Sequence, residues 1–306
     1  MIVTSRAQQP LYRVCCRNLL ISMALLLILL GNSCTVKPPI VPPLTQDSNA
    51  QRLVGKFVWF DLFVQDLDAV TPFYEELFGW SFVSLVAGKD SVKTIYRNGL
   101  PIGNGVERSP GKEKNSEPHW LGYLSVENAE IASQTVANNG GTVQMEPKDL
   151  PNRGRVAVID DPQGAHVALV ASSHGDPPDT DKIDNLWVGG ELWTTSIDAA
   201  LDFYTVLFDY EVEIIRVTDD TPYTALFKND ELRAGVVKIP WKNEVEPLWI
   251  PYIAVKDVLQ IIKKAKDLGG LLLTDADPAA QKTPNAIIAD PQGAVFGVVE
   301  ISEEQP

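Results

Sequence analysis

The amino-acid sequence predicts an α+β protein built from four βαβββ modules in two pairs. Three observations carry that prediction. The stretch from Trp59 to Trp80 reads as one strand running straight into one amphipathic helix. The same pattern returns from Glu191 to Tyr210. The spacing is then kept across a whole repeat: Trp120 to Trp249 and Asp161 to Asp290 are both 129 residues, and Asp68 to Asp198 is 130. A period held over that length marks an internal duplication.

Each element follows from local chemistry. In the first strand Phe60, Leu62 and Val64 alternate with Trp59, Asp61 and Phe63, the two-residue period of a strand with two unlike faces. Asp66 or Asp68 caps a helix whose apolar positions Val70, Phe73, Tyr74, Leu77 and Phe78 recur at helical spacing. Pro72 is expected near its first turn and Gly79 as its left-handed stop. Strands near Ser81–Ala87, Ser91–Arg97 and Leu100–Glu107 complete module one, with turns at Gly88–Asp90 and Asn98-Gly99. Module two opens at Trp120–Val126, carries a helix ending at Asn139–Gly141 and closes through Asp161-Pro-Gln-Gly164. Proline in second place and glycine in fourth suit a type I turn, a sufficient structural reason for that motif. The polar stretch His174–Asn185 reads as a linker. Module three opens near Leu186 and module four at Trp249–Val255, closing through Asp290-Pro-Gln-Gly293. The predicted domains are 52–173 and 186–302, joined by 174–185.

A formal net charge of −14 offers no basic footprint for phosphates, which excludes a nucleic-acid binder. Residues 1–34 read as an address rather than as part of the fold. Arg6, Arg13 and Arg17 form a positive region, and Leu19–Leu30 form an apolar run too short to span a bilayer comfortably. Ending at Cys34, the leader resembles a bacterial lipoprotein signal, although Gly31 stands where such signals prefer Leu. The resemblance implies that Cys34 is lipidated and becomes the mature N-terminus; an uncleaved anchor is the rival. Cys15 and Cys16 would leave with the leader, so the folded body would hold neither disulfide nor thiolate site. Residues 35–51, rich in Pro, Thr, Gln and Ser, read as an extended tether. The expected location is the cell envelope; in a Gram-negative cell Thr35, in place of the Asp associated with inner-membrane retention, favours the outer membrane facing the periplasm.

Paired βαβββ modules with Phe73-Tyr-Glu-Glu-Leu-Phe-Gly-Trp80 and Asp161-Pro-Gln-Gly-Ala165 signatures resemble the vicinal oxygen chelate superfamily of glyoxalase I, bleomycin-resistance proteins and extradiol dioxygenases. The resemblance spans residues 53–302. It is closest to a tandem branch whose modules open as Trp59-Phe-Asp-Leu62 and Trp120-Leu-Gly-Tyr123 do. It implies that each pair of modules curls into one cup around a ligand. Metal enzymes of the superfamily carry His or Gln on the first strand of a module and Glu on the last. Here the first-strand positions hold Trp59, Leu121, Gly189 and Ile250, and the last-strand positions of modules two and four hold Ala168 and Gly297. None of these ligates a metal, and only His119, His166 and His174 are present in the chain. No metal and no cofactor are expected; the module-one position falls near Gly103-Asn104.

If the former ligand position faces the cup, so does the residue two further on. That places Asp61 and Tyr123 in the first cup and Glu191 and Tyr252 in the second. His166, two residues before Ala168, is expected to point inward, and Arg155 to join it, with Trp59 as an apolar wall. Asp61, Tyr123, Arg155 and His166 would then bind a polar or anionic small molecule. A catalytic version uses His166 as general base, oriented by Asp61, with Tyr123 beside them. A bland version leaves the acids bonding nearby backbone and the tyrosines as core aromatics. Three functions stay open: a metal-free, membrane-tethered binder, which is the leading expectation, a glyoxalase- or dioxygenase-type enzyme with an unconventional site, and a scaffold with filled cups.

Overall fold

Alternation sorts the first strand onto two faces, as expected. β1 (Phe57–Val64) sends Phe60, Leu62 and Val64 into a large core, and Trp59 and Phe63 into a small separate cluster. The computed structural model describes residues 41–47, 49–86, 89–109, 117–180, 182–218, 221–239, 245–273 and 284–301. The leader and Cys34 lie outside them. Among the described residues no helix is long and apolar enough to cross a membrane.

β1 runs into α1 (Leu67–Phe78), with Asp66 as the N-cap accepting from the Ala69 amide at 2.9 Å and Gly79 as a left-handed stop at φ 67°. Such a cap is worth about 1 kcal/mol. Pro72 is the sixth residue of α1, later than expected; its missing amide leaves one carbonyl without a helical donor, and the helix still continues to Phe78. β2 (Ser81–Val86), β3 (Lys89–Arg97) and β4 (Leu100–Glu107) complete the module, and Asn98 and Gly99 both take positive φ in the tight turn. Module two is β5 (His119–Ser125), α2 (Ala129–Asn138), β6 (Thr142–Leu150), β7 (Gly154–Asp160) and β8 (His166–Ser172).

The second half repeats this with β9 (Leu186–Thr194), α3 (Ile197–Phe208), β10 (Glu211–Thr218), β11 (Thr221–Lys228) and β12 (Glu231–Lys238). It ends with β13 (Leu248–Val255), α4 (Val258–Asp267), β14 (Leu271–Leu272), β15 (Asn285–Ala289) and β16 (Val295–Glu300). Two mixed eight-stranded sheets result, ordered β2-β3-β4-β1-β5-β8-β7-β6 and β10-β11-β12-β9-β13-β16-β15-β14. In each, the first strands of the two modules pair antiparallel at the centre. The helix-bearing faces of both sheets share one apolar core that includes Phe57, Phe73, Tyr74, Tyr204, Trp249 and Phe296. Each opposite face keeps its own small cluster.

The two halves are locked reciprocally. Asp290 Oδ1 accepts from the Gln292 and Ala294 amides and shapes its own turn, while Oδ2 accepts from Tyr74 Oη at 2.9 Å. Asp161 does the same for its turn and accepts from Tyr204 Oη at 3.2 Å. Trp120 and Trp249 donate their indole N–H to those phenol oxygens, at 3.1 and 2.9 Å. Gln292 Oε1 accepts from the Gln65 and Asp66 amides at the start of α1, and Gln163 Oε1 from the Ser196 amide at the start of α3. The Asp-Pro-Gln-Gly motif is therefore more than a turn: it clamps the partner repeat. Burial raises both carboxylates above the ordinary aspartate range and pushes both phenols well up, so the tyrosines remain donors. Tyr74→Phe or Tyr204→Phe should each cost about 1–3 kcal/mol in denaturant unfolding, by stranding a buried carboxylate oxygen and an indole N–H. A loss under about 0.5 kcal/mol for both would show that the clamp contributes little.

Candidate functional site

Register brings the first-cup groups together on three adjacent strands. Asp61 on β1 lies opposite Asn104 on β4, and Trp59 opposite Tyr123 on β5. Asp61 is 6% exposed, and every donor it meets is a side chain. Its Oδ1 accepts from Trp59 Nε1 at 2.7 Å and Asn104 Nδ2 at 2.9 Å; its Oδ2 accepts from Tyr123 Oη at 2.6 Å. Burial first, and then the Asp61 charge, pushes the Tyr123 phenol well above its ordinary value, so it stays protonated and donating.

The cation of this site is Arg153, not Arg155. Arg153 is 2% exposed, and its guanidinium lies over the Trp59 ring at 3.8 Å, with the Tyr123 ring at 5.8 Å. Its Nε, Nη1 and Nη2 have no hydrogen-bond partner among the described residues. Burial pulls its pKa down, opposed by the negative charge of Asp61. Arg155 lies outside the cup, paired with Glu130 on α2 and with Asp149 at 3.1 Å. The two arginines part because Asn152 and Gly154 take positive φ, 64° and 118°, which breaks strand alternation between them. A residue with a side chain at Gly154 would be strained there and would meet the Ala171 carbonyl oxygen at 2.2 Å.

His166 does not meet Asp61. Its Nδ1 pairs with Asp160 at 2.6 Å, at the end of the strands where Phe63, Arg108 and His119 gather. In the second cup Glu191 accepts from Tyr252 Oη at 3.0 Å and Trp193 Nε1 at 2.8 Å, with Tyr223 adding a further bond. The carboxylate and phenol expected at equivalent places thus bond each other in both cups. Burial raises Glu191 above the ordinary range, and Ile239, Ile250 and Ile287 pack around this cluster.

The positions where relatives of this fold hold a metal do not fit one. Trp59, Leu121 and Ala168 offer no ligand atom in the first cup. Register identifies the fourth position as Asn104, whose amide donates to Asp61. The equivalent positions of the second cup carry Gly189, Ile250, Gly235 and Gly297. Among the described residues no group of three His, Cys, Asp or Glu converges.

Sequence alternation could not find Arg153, because the flip at Gly154 is a backbone event. Nor could it find Leu44, which comes from the Pro-rich stretch before the fold, is 4% exposed and joins the cluster of Trp59, Phe63, Leu121 and Tyr123. Burying a leucine is worth about 2 kcal/mol.

His119 supplies a pH handle. It stacks on Phe63 at 5.2 Å, and burial lowers its pKa to about 4, with Arg108 and His166 adding smaller pushes in the same direction. The folded chain holds it neutral, while the unfolded chain takes up a proton near 6.5. Its stability is therefore whole above about 6.5 and drains as pH falls from there toward 4. His119→Phe should lose less unfolding free energy than the parent between pH 7 and pH 4.5. Equal losses would show that His119 is free to protonate in the folded state.

Comparison with known proteins agrees with the fold. Residues 56–169 match the family described as Glyoxalase/Bleomycin resistance protein/Dioxygenase superfamily. The chain is 29% identical over 252 residues to "Putative glyoxylase CFP32" of Mycobacterium tuberculosis, covering 81% of this chain and 95% of that protein. It is 29% identical over 270 residues to the anthracycline biosynthesis protein DnrV of Streptomyces peucetius, covering 82% and 95%. Among solved structures, the Mn(II)-bound glyoxalase from Novosphingobium aromaticivorans superposes with a TM-score of 0.56 at 14% identity, over 81% of this chain and 82% of that one. Homoprotocatechuate 2,3-dioxygenase of Brevibacterium fuscum superposes with a TM-score of 0.55 at 12% identity, over 88% and 86%. Through residues 56–169, the chain is similar to the Glyoxalase/Bleomycin resistance protein/Dioxygenase superfamily.

Proposed function

We propose that the first cup binds a small organic molecule without a metal. The observation that carries this reading is Arg153, a buried guanidinium with no acceptor among the described residues, set beside a carboxylate whose own donors are complete. A desolvated charge with unmet hydrogen bonds costs several kcal/mol, and a bound acceptor removes that cost. Trp59 and Tyr123 supply aromatic walls, as ligand cups commonly do. The second cup, filled by isoleucines and lacking such a cation among its described residues, is read as support.

One observation favours an enzyme as a second reading. The Asp160 carboxylate lies on His166 Nδ1 at 2.6 Å, and a neutral ring donating to it from Nδ1 would carry its lone pair on Nε2, the arrangement of a general base. Such chemistry would be of the glyoxalase or dioxygenase type in name only, since the metal positions are not kept.

Native mass spectrometry of the purified protein, with Arg153→Met and His166→Gln beside it, separates these. An organic adduct without a stoichiometric divalent ion, lost in Arg153→Met and kept in His166→Gln, is the expected result. A stoichiometric divalent ion in the parent would sink the metal-free reading. An adduct that changes mass in the parent but persists unchanged in His166→Gln would favour the enzyme.

The leader supports a further proposal: the protein is lipidated at Cys34 and held at the cell envelope, on the outer membrane facing the periplasm if the cell is Gram-negative. Metabolic labelling with palmitate should mark the parent and leave Cys34→Ser unlabelled. Label on neither would show an uncleaved leader.

A further inference from the structure

The first cup is closed by the chain itself. From residue 41 to residue 47 the backbone crosses to the first domain, and Leu44 is buried in the apolar cluster of the cup. Val41, Pro42, Pro43 and Thr45 are half-buried beside it, but hydrogen bonds to the rest of the domain are few. Among the described residues the segment's one hydrogen bond to the rest of the domain is a long one, from Asn152 Nδ2 in the β6–β7 turn to the Val41 carbonyl at 3.4 Å. The Thr45 hydroxyl and the Asp47 carboxylate accept only from amides of the same segment. Pro42 and Pro43 have no amide to donate. The following residues are fastened well, Gln51 to the Asp176 amide at 3.0 Å and the Leu53 amide to the Asp176 carboxylate at 2.6 Å. A firmly anchored end, a weakly held span and one inserted side chain describe a strap.

The strap covers the cup without satisfying it. Residues 41–46 are Val, Pro, Pro, Leu, Thr and Gln, without charge, and the one acid of the segment, Asp47, accepts from the Asn49 amide. Arg153, over the Trp59 ring that Leu44 also packs with, keeps its donors unpaired among the described residues. One face of the guanidinium is taken by Trp59, so its in-plane N–H edge is what remains. That edge matches two oxygens of a planar or tetrahedral oxyanion. Asp61 does not compete for it, because three other side chains already hold its oxygens.

We propose that the first cup takes an aromatic or apolar small molecule bearing a carboxylate-type oxyanion, held at the Arg153 edge, and that segment 41–47 is a displaceable strap whose Leu44 occupies the ligand's place until it binds. This inference rests on the small-molecule reading of the first cup and adds to it the ligand's charge and the strap. A ligand entering beside Trp59 expels Leu44 and supplies the acceptor that the strap lacks.

Two dyes test both halves on the full chain. 8-Anilinonaphthalene-1-sulfonate carries an oxyanion on an aromatic body, and N-phenyl-1-naphthylamine is its neutral counterpart. Leu44→Gly should tighten both dyes about tenfold, the scale of removing one buried aliphatic side chain from competition. Arg153→Met in that background should weaken the sulfonate about tenfold, the scale of one charge-assisted pair, and leave the neutral dye unchanged. A retained cooperative melting transition in each variant separates cup binding from general loosening. If Leu44→Gly changes neither dye while Arg153→Met still weakens the sulfonate, the strap is refuted and the binding cup stands. If Arg153→Met weakens neither dye in either background, the oxyanion site is refuted and the small-molecule reading loses its carrying observation.

Discussion

Two buried carboxylates, Asp161 and Asp290, decide how the rest of this protein is arranged. Each spends one oxygen on the amides of its own turn and the other on a phenol from the opposite repeat. An aspartate in an apolar setting is tolerable only when both oxygens are met. Neither repeat can meet both alone, so each is incomplete without the other. The clamp presses the helix-bearing faces together, and one continuous core forms across them. Those faces are thereby used up. What is left is the opposite face of each sheet, where a small separate apolar cluster lies beside Asp61 in one half and Glu191 in the other.

Much of this was legible in the residues. The period of 129 residues gave the duplication, and alternation assigned Trp59, Asp61 and Tyr123 to one face and Phe60, Leu62 and Leu124 to the other. Asp66, Gly79 and Asn98-Gly99 ended their elements where cap and turn chemistry placed them. The failures share a cause. Alternation assumes an unbroken strand, and positive φ at Asn152 and Gly154 broke it, exchanging Arg155 for Arg153. His166 was assigned to Asp61, but the two-residue offset says nothing about distance along the strands, and Asp160 on the next strand is directly opposite. The role of the Asp-Pro-Gln-Gly turns beyond their own geometry lay in a partner more than a hundred residues away, which no local pattern encodes.

The first cup is organised around a buried carboxylate. A divalent ion organises oxygen and nitrogen donors around itself; here the organising group is Asp61, and the donors are an indole, an amide and a phenol. The sign of the centre is inverted, from cation to anion. Arg153 restores a positive charge nearby without touching the carboxylate. Had the guanidinium bonded Asp61 directly, the cup would be a closed salt bridge with nothing to offer a ligand. The three neutral donors hold the carboxylate, and so keep the arginine uncommitted.

The asymmetry between the cups follows from the same accounting. Glu191 and Tyr252 repeat the acid and phenol of Asp61 and Tyr123, so the second cup inherits the buried acid. Around it lie Ile239, Ile250 and Ile287, a filling that demands no partner. The first cup is filled differently: its Leu44 belongs to a segment outside the sheet, so the displacement proposed above would unpick no strand. A side chain from the fold's own strands stabilises permanently, whereas one from a flanking segment stabilises only while that segment stays. The duplicated acid is held by an indole and a phenol in both halves; in the reading proposed above, the removable stopper and the cation are what place ligand chemistry in the first.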